Sequence, residues 1–181
     1  MSDLEKQDLK NKKVIVRVDL NVPLDDNDNV TDTTRIVACK ETVDLILEKG
    51  GTCILISHLG RPKGKENKFS LKKIVDTVSS VFNQPVFFYE DCIGQGAEEA
   101  ISKLDQGSII LMENLRFYQE ETLGDRVFAK NLSELGDIYV NDAFGTCHRE
   151  HASTVVITEY FENKKFAGKL LQKELEAINQ I

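Results

Sequence analysis

The stretch "TCILISHLGRPKGK" (residues 52–65) decides how the rest of the chain reads. A nearly unbroken apolar run stops at Ser57, and a His, a Gly, an Arg, a Pro and two Lys follow at once. A strand without polar alternation is one covered on both faces, as in parallel sheets flanked by helices. Why a chain of net charge −7 should gather cationic and ring-nitrogen groups where such a strand ends is the question the remaining sequence answers.

Four further runs share the character of 52–57: "KVIVRVDLNV" (13–22), "PVFFYE" (85–90), "SIILME" (108–113) and "DIYV" (137–140). The segments between them have helical spacing. Ile36, Val37, Val43, Ile46 and Leu47 share one face, ended by Gly50-Gly51. Ser70 caps a second helix whose stripe is Leu71, Ile74, Val75, Val78 and Phe82. Ala97, Ala100, Ile101 and Leu104 mark a third; Val127, Phe128, Leu132 and Leu135 mark a fourth, which Gly136 stops. Strands alternating with helices of this length predict an α/β domain of three layers, Rossmann-like, with a mainly parallel sheet and right-handed crossovers.

A chain of 181 residues, 41% hydrophobic and 29% charged, suits one ordinary globular domain. Its acidic balance argues against nucleic acid as a partner, which needs a broad basic surface. The charged start "MSDLEKQDLKNKK" lacks the apolar core of a secretory signal, and no run approaches the roughly 20 residues that span a bilayer. These features predict a cytoplasmic protein without a membrane partner. Cys39, Cys53, Cys92 and Cys147 show no paired spacing and read as buried free thiols.

In open parallel sheets, ligands bind beyond the carboxyl ends of the strands. Asp19 and Asn21 follow the first run; His58 and Arg61 follow the second. Asn114 and Arg116 follow "SIILME", and Asn141, Asp142, His148, Arg149 and His151 follow "DIYV". Only "PVFFYE" lacks such a cluster. Of six arginines in the chain, Arg61, Arg116 and Arg149 hold these positions, and Arg35 opens the first helix. Arginine is favoured where a planar fork grips a phosphate or carboxylate at two points. The stretch 52–65 is therefore read as one wall of an anion site, with other walls from separate strand ends. Arg17, inside the first run, and Arg126, on a helix, are read as surface ion pairs.

Other patterns carry less. "GQGAEEA" (94–100) puts Glu99 where a dinucleotide fingerprint needs its third Gly, and reads as a turn into a helix. "GRPKGKE" (60–66) spaces its glycines too closely for a phosphate loop. Cys147, His148 and His151 lack the fourth ligand of a structural zinc site, so no metal is expected. Glu113 and Asp142 read as groups that orient an arginine or cap a turn. "GKLLQKELEAINQI" (168–181) is helical and has no stop signal, which suits either a natural terminus or a piece of something larger.

Four motifs, in this order, complete the reading: "RVDLNVP" (17–23), "SHLGRP" (57–62), "ENLRF" (113–117) and "YVNDAFGTCHREHAS" (139–153). Together they resemble the N-terminal domain of the phosphoglycerate kinase family, from about residue 5 to the end. The resemblance implies two Rossmann-like domains, of which residues 1–168 are the 3-phosphoglycerate-binding one and residues 169–181 begin the hinge helix. Mg-ATP or Mg-ADP would be bound by a C-terminal domain absent from this chain, leaving no cofactor site here. Asp19 and Asn21 would bond the substrate's hydroxyl and carboxylate end. His58, Arg61, Arg116 and Arg149 would hold the 3-phosphate, and Arg35, the one catalytic residue, would face the carboxyl group that exchanges a phosphoryl group. His148 and His151 would stand behind them. The partners implied are 3-phosphoglycerate or 1,3-bisphosphoglycerate, the oligomeric state a monomer, and the chain alone inactive. Leu20, Cys147 and Glu150 depart from the family pattern, and Glu150 is expected to pair with Arg149. The alternative reading is a free-standing, non-catalytic anion-binding module on the same fold.

Overall fold

The computed structural model describes residues 3–146 and 148–180; the expectations for Cys147 lie outside them. Among the described residues the strands are β1 (Lys13–Arg17), β2 (Thr52–Ile56), β3 (Val86–Tyr89), β4 (Ile109–Met112), β5 (Ile138–Asn141) and β6 (Lys165–Ala167). They form one sheet in the order β3-β4-β2-β1-β5-β6, and every neighbouring pair is parallel. The helices are α1 (Thr34–Glu48), α2 (Val75–Phe82), α3 (Gln95–Ser102), α4 (Gln119–Leu123), α5 (Arg126–Ser133) and α6 (Lys169–Asn179).

The unbroken apolar runs serve two cores at once. Val14, Val16, Cys53, Leu55, Ile109, Leu111 and Val140 pack with Ile36, Val43 and Ile46 of α1 and Val78 and Phe82 of α2. The alternate residues Ile15, Ile54, Ile56, Ile110, Met112 and Tyr139 pack with Ala97 and Ile101 of α3 and Phe128 and Leu132 of α5. Period-two alternation therefore divides each strand between opposite faces, and the result is the predicted three-layer α/β architecture.

Several expectations are corrected in detail. Pairing of the first strand ends at Arg17, not at 22, with one further bond from the Val18 N–H to the Ile56 carbonyl. Val18, Leu20 and Val22 stay buried because they pack onto the α1 side of the core after leaving the sheet. Val37 and Val127 are exposed, and Cys39 and Ala129 are buried instead. Val37 follows Ile36 directly, so it lies about 100° around the helix from the Ile36–Cys39–Val43–Ile46 stripe. The short strand β6 was not anticipated.

Two predicted caps have physical partners. Glu113 accepts from the Ser70 hydroxyl (2.6 Å) and from the Leu71 N–H (2.9 Å), anchoring the 3-10 turn Leu71–Ile74 that leads into α2. Asp142 Oδ1 accepts from the Leu170 and Leu171 N–H groups (3.0 and 3.3 Å), while Thr42 Oγ1 takes that of Lys169 (2.9 Å). The first turn of α6 is thus capped from β5 and α1. Gly168 makes this possible, since a Cβ there would lie 2.2 Å from Asp142 Oδ1.

Candidate functional site

β4, β2, β1 and β5 are consecutive neighbours in the sheet, and theirs are the strand ends that carry polar clusters. β3, whose end carries none, is an edge strand. The connections leaving the central four strands therefore meet above one stretch of the sheet's rim.

Asn114 braces these connections. Fully buried, it donates from Nδ2 to the carbonyls of Leu59 (2.8 Å) and Phe69 (2.9 Å), and its Oδ1 accepts from the Arg116 N–H (3.0 Å). Gly60 is gripped from both sides: its N–H donates to Asn21 Oδ1 (2.8 Å) and its carbonyl accepts from Arg116 Nη1 (3.2 Å). Its φ of +63° is one that only glycine adopts freely. Asn21 in turn accepts through its carbonyl from Arg35 Nη1 (2.8 Å), which also bonds Asp19 Oδ1 (3.2 Å). One continuous chain of bonds thus runs from Arg35 through Asn21 and Gly60 to Arg116.

Arg61, Arg116 and Arg149 line a single cavity of about 360 Å³, with Tyr118, Thr122 and His151 in its wall. None of the three arginines forms an ion pair with a carboxylate among the described residues; the expected pairing of Glu150 with Arg149 is absent there, and both residues are exposed. Burial lowers the Arg116 guanidinium from its ordinary range, and the charges of Arg17, Arg149 and Arg61 add to the effect against Glu121 alone. Arg116 Nε and His151 Nδ1 are both sealed from solvent without a hydrogen-bond partner. A buried donor left unmatched costs about 1–3 kcal/mol. Three guanidinium groups crowded into one cavity without a carboxylate make it suited to a multivalent anion.

His58 is 4% exposed and does not line this cavity; its Nδ1 lies 3.1 Å from Arg17 Nη2. Burial first, then Arg17, Arg116, His151 and Arg35, push its imidazole down to about 2, so it is neutral. Arg35 does not line the cavity; its bond to the Asn21 carbonyl, with the Asn21 side chain holding Gly60, ties it to the same rim.

The expectation for Arg17 is overturned. It is fully buried, donating from Nε to Ser153 Oγ (2.9 Å) and from Nη1 to the Val18 carbonyl. Arg126, by contrast, makes the exposed pair expected of it, with Glu159. His151, expected behind the site, forms part of its wall, and Tyr118 and Thr122 join it there without a sequence signal. A charge inside an otherwise apolar run was the signal for Arg17: once β1 ends there, Arg17 is itself a strand-end residue.

Among the described residues no cluster of three His, Cys, Asp or Glu side chains could hold a metal ion, and no helix is long and apolar enough to cross a membrane. Residues 3–181 match the family model described as phosphoglycerate kinase. The chain is 51% identical over 176 residues to chloroplastic phosphoglycerate kinase 2 of Arabidopsis thaliana, covering 97% of this chain and 37% of that protein. It is 51% identical over 173 residues to the cytosolic phosphoglycerate kinase of Triticum aestivum, covering 96% and 43%. The solved phosphoglycerate kinase of Pyrococcus horikoshii OT3 superposes with a TM-score of 0.90 at 32% identity, covering 99% of this chain and 45% of that one. That of Coxiella burnetii gives 0.86 at 35% identity, covering 98% and 44%. The chain therefore spans about two fifths of the length of the relatives it matches, as 37% and 43% for the two plant proteins indicate. On the match across residues 3–181 and these relatives, the chain belongs to the phosphoglycerate kinase family.

Proposed function

We propose that this chain is the 3-phosphoglycerate-binding part of a phosphoglycerate kinase, in which Arg61, Arg116 and Arg149 hold the 3-phosphate. The observation that carries the reading is the cavity these three arginines share without a carboxylate among them. Their guanidinium N–H groups supply donors for the phosphate oxygens. His58 is assigned to the same phosphate as a neutral donor. Asp19 and Asn21, held in place through Arg35 and Gly60, receive the hydroxyl and carboxylate end of the ligand.

Arg35 is the residue assigned to the reacting end. Its side chain is half exposed and hydrogen-bonded to Asp19, so it is oriented yet open toward a carboxyl group that gains or loses a phosphoryl group. Phosphoryl transfer depends on alignment and charge neutralisation more than on covalent participation, and a fixed guanidinium supplies both. The nucleotide with its magnesium, bound by residues outside this chain, supplies or accepts the phosphoryl group. Residues 1–168 act as the substrate-binding domain and 169–181 as the start of a hinge helix, a reading supported by Leu175 and Ile178 lying exposed on α6. We assign the protein to the cytoplasm as a monomer.

Calorimetric titration tests this directly. The 181-residue chain is expected to bind 3-phosphoglycerate weakly, to ignore ATP and to show no turnover. Arg61 is exposed, so Arg61→Ala should leave the fold intact by circular dichroism. A charge-assisted bond of about 1.5–3 kcal/mol predicts at least a tenfold loss of affinity. Tight ATP binding, or an Arg61→Ala variant that binds like the parent, overturns the reading.

A further inference from the structure

We propose that Arg17 is a positioning residue for this site, its buried guanidinium bonded to Nδ1 of His58 so that the imidazole is fixed with its single proton on Nε2, as a donor toward the bound anion. The inference rests on the functional reading above and concerns a residue that reading leaves unused.

A guanidinium has only N–H donors and no acceptor. Its 3.1 Å contact with His58 Nδ1 therefore requires Nδ1 to accept, and an imidazolium would set two N–H groups against each other. The proton must sit on Nε2. That atom bonds no described residue and is not among the buried polar atoms sealed without a partner, so it is the open edge of the ring; His58 itself does not line the arginine cavity, and the donor role toward the anion is part of the proposal. The guanidinium cannot turn away, because each of its nitrogens is engaged. Nε donates to the Ser153 hydroxyl, Nη1 to the Val18 carbonyl, and Nη2 to His58. The Ser153 hydroxyl donates onward to Glu121, and the Ser153 N–H donates to Glu121 Oε2 (3.0 Å).

A buried arginine serving stability alone would take its carboxylate directly. Here a hydroxyl stands between Arg17 and Glu121, and one nitrogen is directed at an imidazole that cannot neutralise it. Three segments far apart in sequence converge on this side chain: β1 itself, the residue two beyond β2, and Ser153 after β5. A lysine in its place keeps the charge but not the rigid fork that reaches Ser153 and His58 together.

The test is a nitrogen-15 NMR spectrum of the chain labelled at histidine, with His58 assigned by its loss in His58→Asn, a variant that retains an acceptor for Arg17. The parent should show Nε2 protonated and Nδ1 bare across roughly pH 6–8, the range in which an ordinary histidine changes charge. Arg17→Lys should show mixed tautomers and bind 3-phosphoglycerate about tenfold more weakly, and the same change in a His58→Asn background should add less than about twofold. Equal losses in both backgrounds overturn the inference, since Arg17 then acts independently of His58. A parent spectrum with Nδ1 protonated overturns it whether or not Arg17→Lys folds. A fixed tautomer in a parent chain that takes up no 3-phosphoglycerate overturns instead the functional reading, and the donor role with it.

Discussion

Replacing Gly60 with alanine probes how the connection after β2 builds the site. An added Cβ would lie 2.4 Å from Phe69 Cε1 and 2.5 Å from Cδ1, where carbon atoms normally rest about 3.5–4.0 Å apart. The Phe69 ring must swing aside while its carbonyl stays bonded to Asn114, and such overpacking costs about 1–3 kcal/mol. The left-handed backbone at φ +63° adds about 1–2 kcal/mol for a residue with a side chain. A total near 2–5 kcal/mol corresponds to a Tm lowered by about 4–20 °C for a chain of this size. The same strain moves the N–H held by Asn21 and the carbonyl held by Arg116, so affinity for 3-phosphoglycerate should fall at least about tenfold, or 1.4 kcal/mol. Urea unfolding with an unchanged slope, paired with calorimetric titration, reads both effects. A variant that loses less than about 0.5 kcal/mol, a change usual for a neutral surface site, refutes the packing argument; one that is destabilised yet binds normally refutes the link from this loop to the site.

Asp142 gives a pH-dependent case. Burial, reinforced by Glu174, raises its carboxyl to about 6 from 3.8. The folded state then holds a proton that the unfolded state releases, so Asp142 favours folding at low pH and that contribution is lost as pH rises from about 4 to about 6. The loss is on the order of 3 kcal/mol. Asp142→Asn retains the Oδ1 acceptor for α6 and should become progressively more stable than the parent over that interval in urea unfolding; a gap that does not widen with pH contradicts the assignment. Gly168→Ala places a Cβ 2.2 Å from the same carboxyl oxygen and should cost about 1–3 kcal/mol. Hydrogen exchange at the Leu170 and Leu171 amides should quicken, and unchanged exchange would show that the cap does not depend on Gly168.

The layered architecture was legible because a strand buried on both faces must be apolar at every position, which a local reading detects. The adjacency of the four polar strand ends was legible for a topological reason: in a parallel sheet all such ends share one edge. What escaped depended on contacts distant in sequence. Arg17 meets Ser153 and His58, 136 and 41 residues away, and extending the first strand to Val22 hid its place at a strand end. Val18, Leu20 and Val22 alternate like a strand but are buried by packing against α1 rather than by pairing. β6 spans three residues, Lys165–Ala167, too few for any period to emerge. His151 lies two residues beyond Arg149, and only the turn after β5, with the His151 N–H on the Arg149 carbonyl (2.8 Å), brings both to one cavity.

The most direct measurement is the Nε–H resonance of Arg116 in an arginine-labelled nitrogen-15 spectrum, recorded while 3-phosphoglycerate is added. Arg116 lines the cavity, so a phosphate against its guanidinium should shift the neighbouring Nε–H resonance in step with binding. A ligand that binds while the Arg116 resonance stays where it was would contradict the claim that the arginine cavity holds the phosphate.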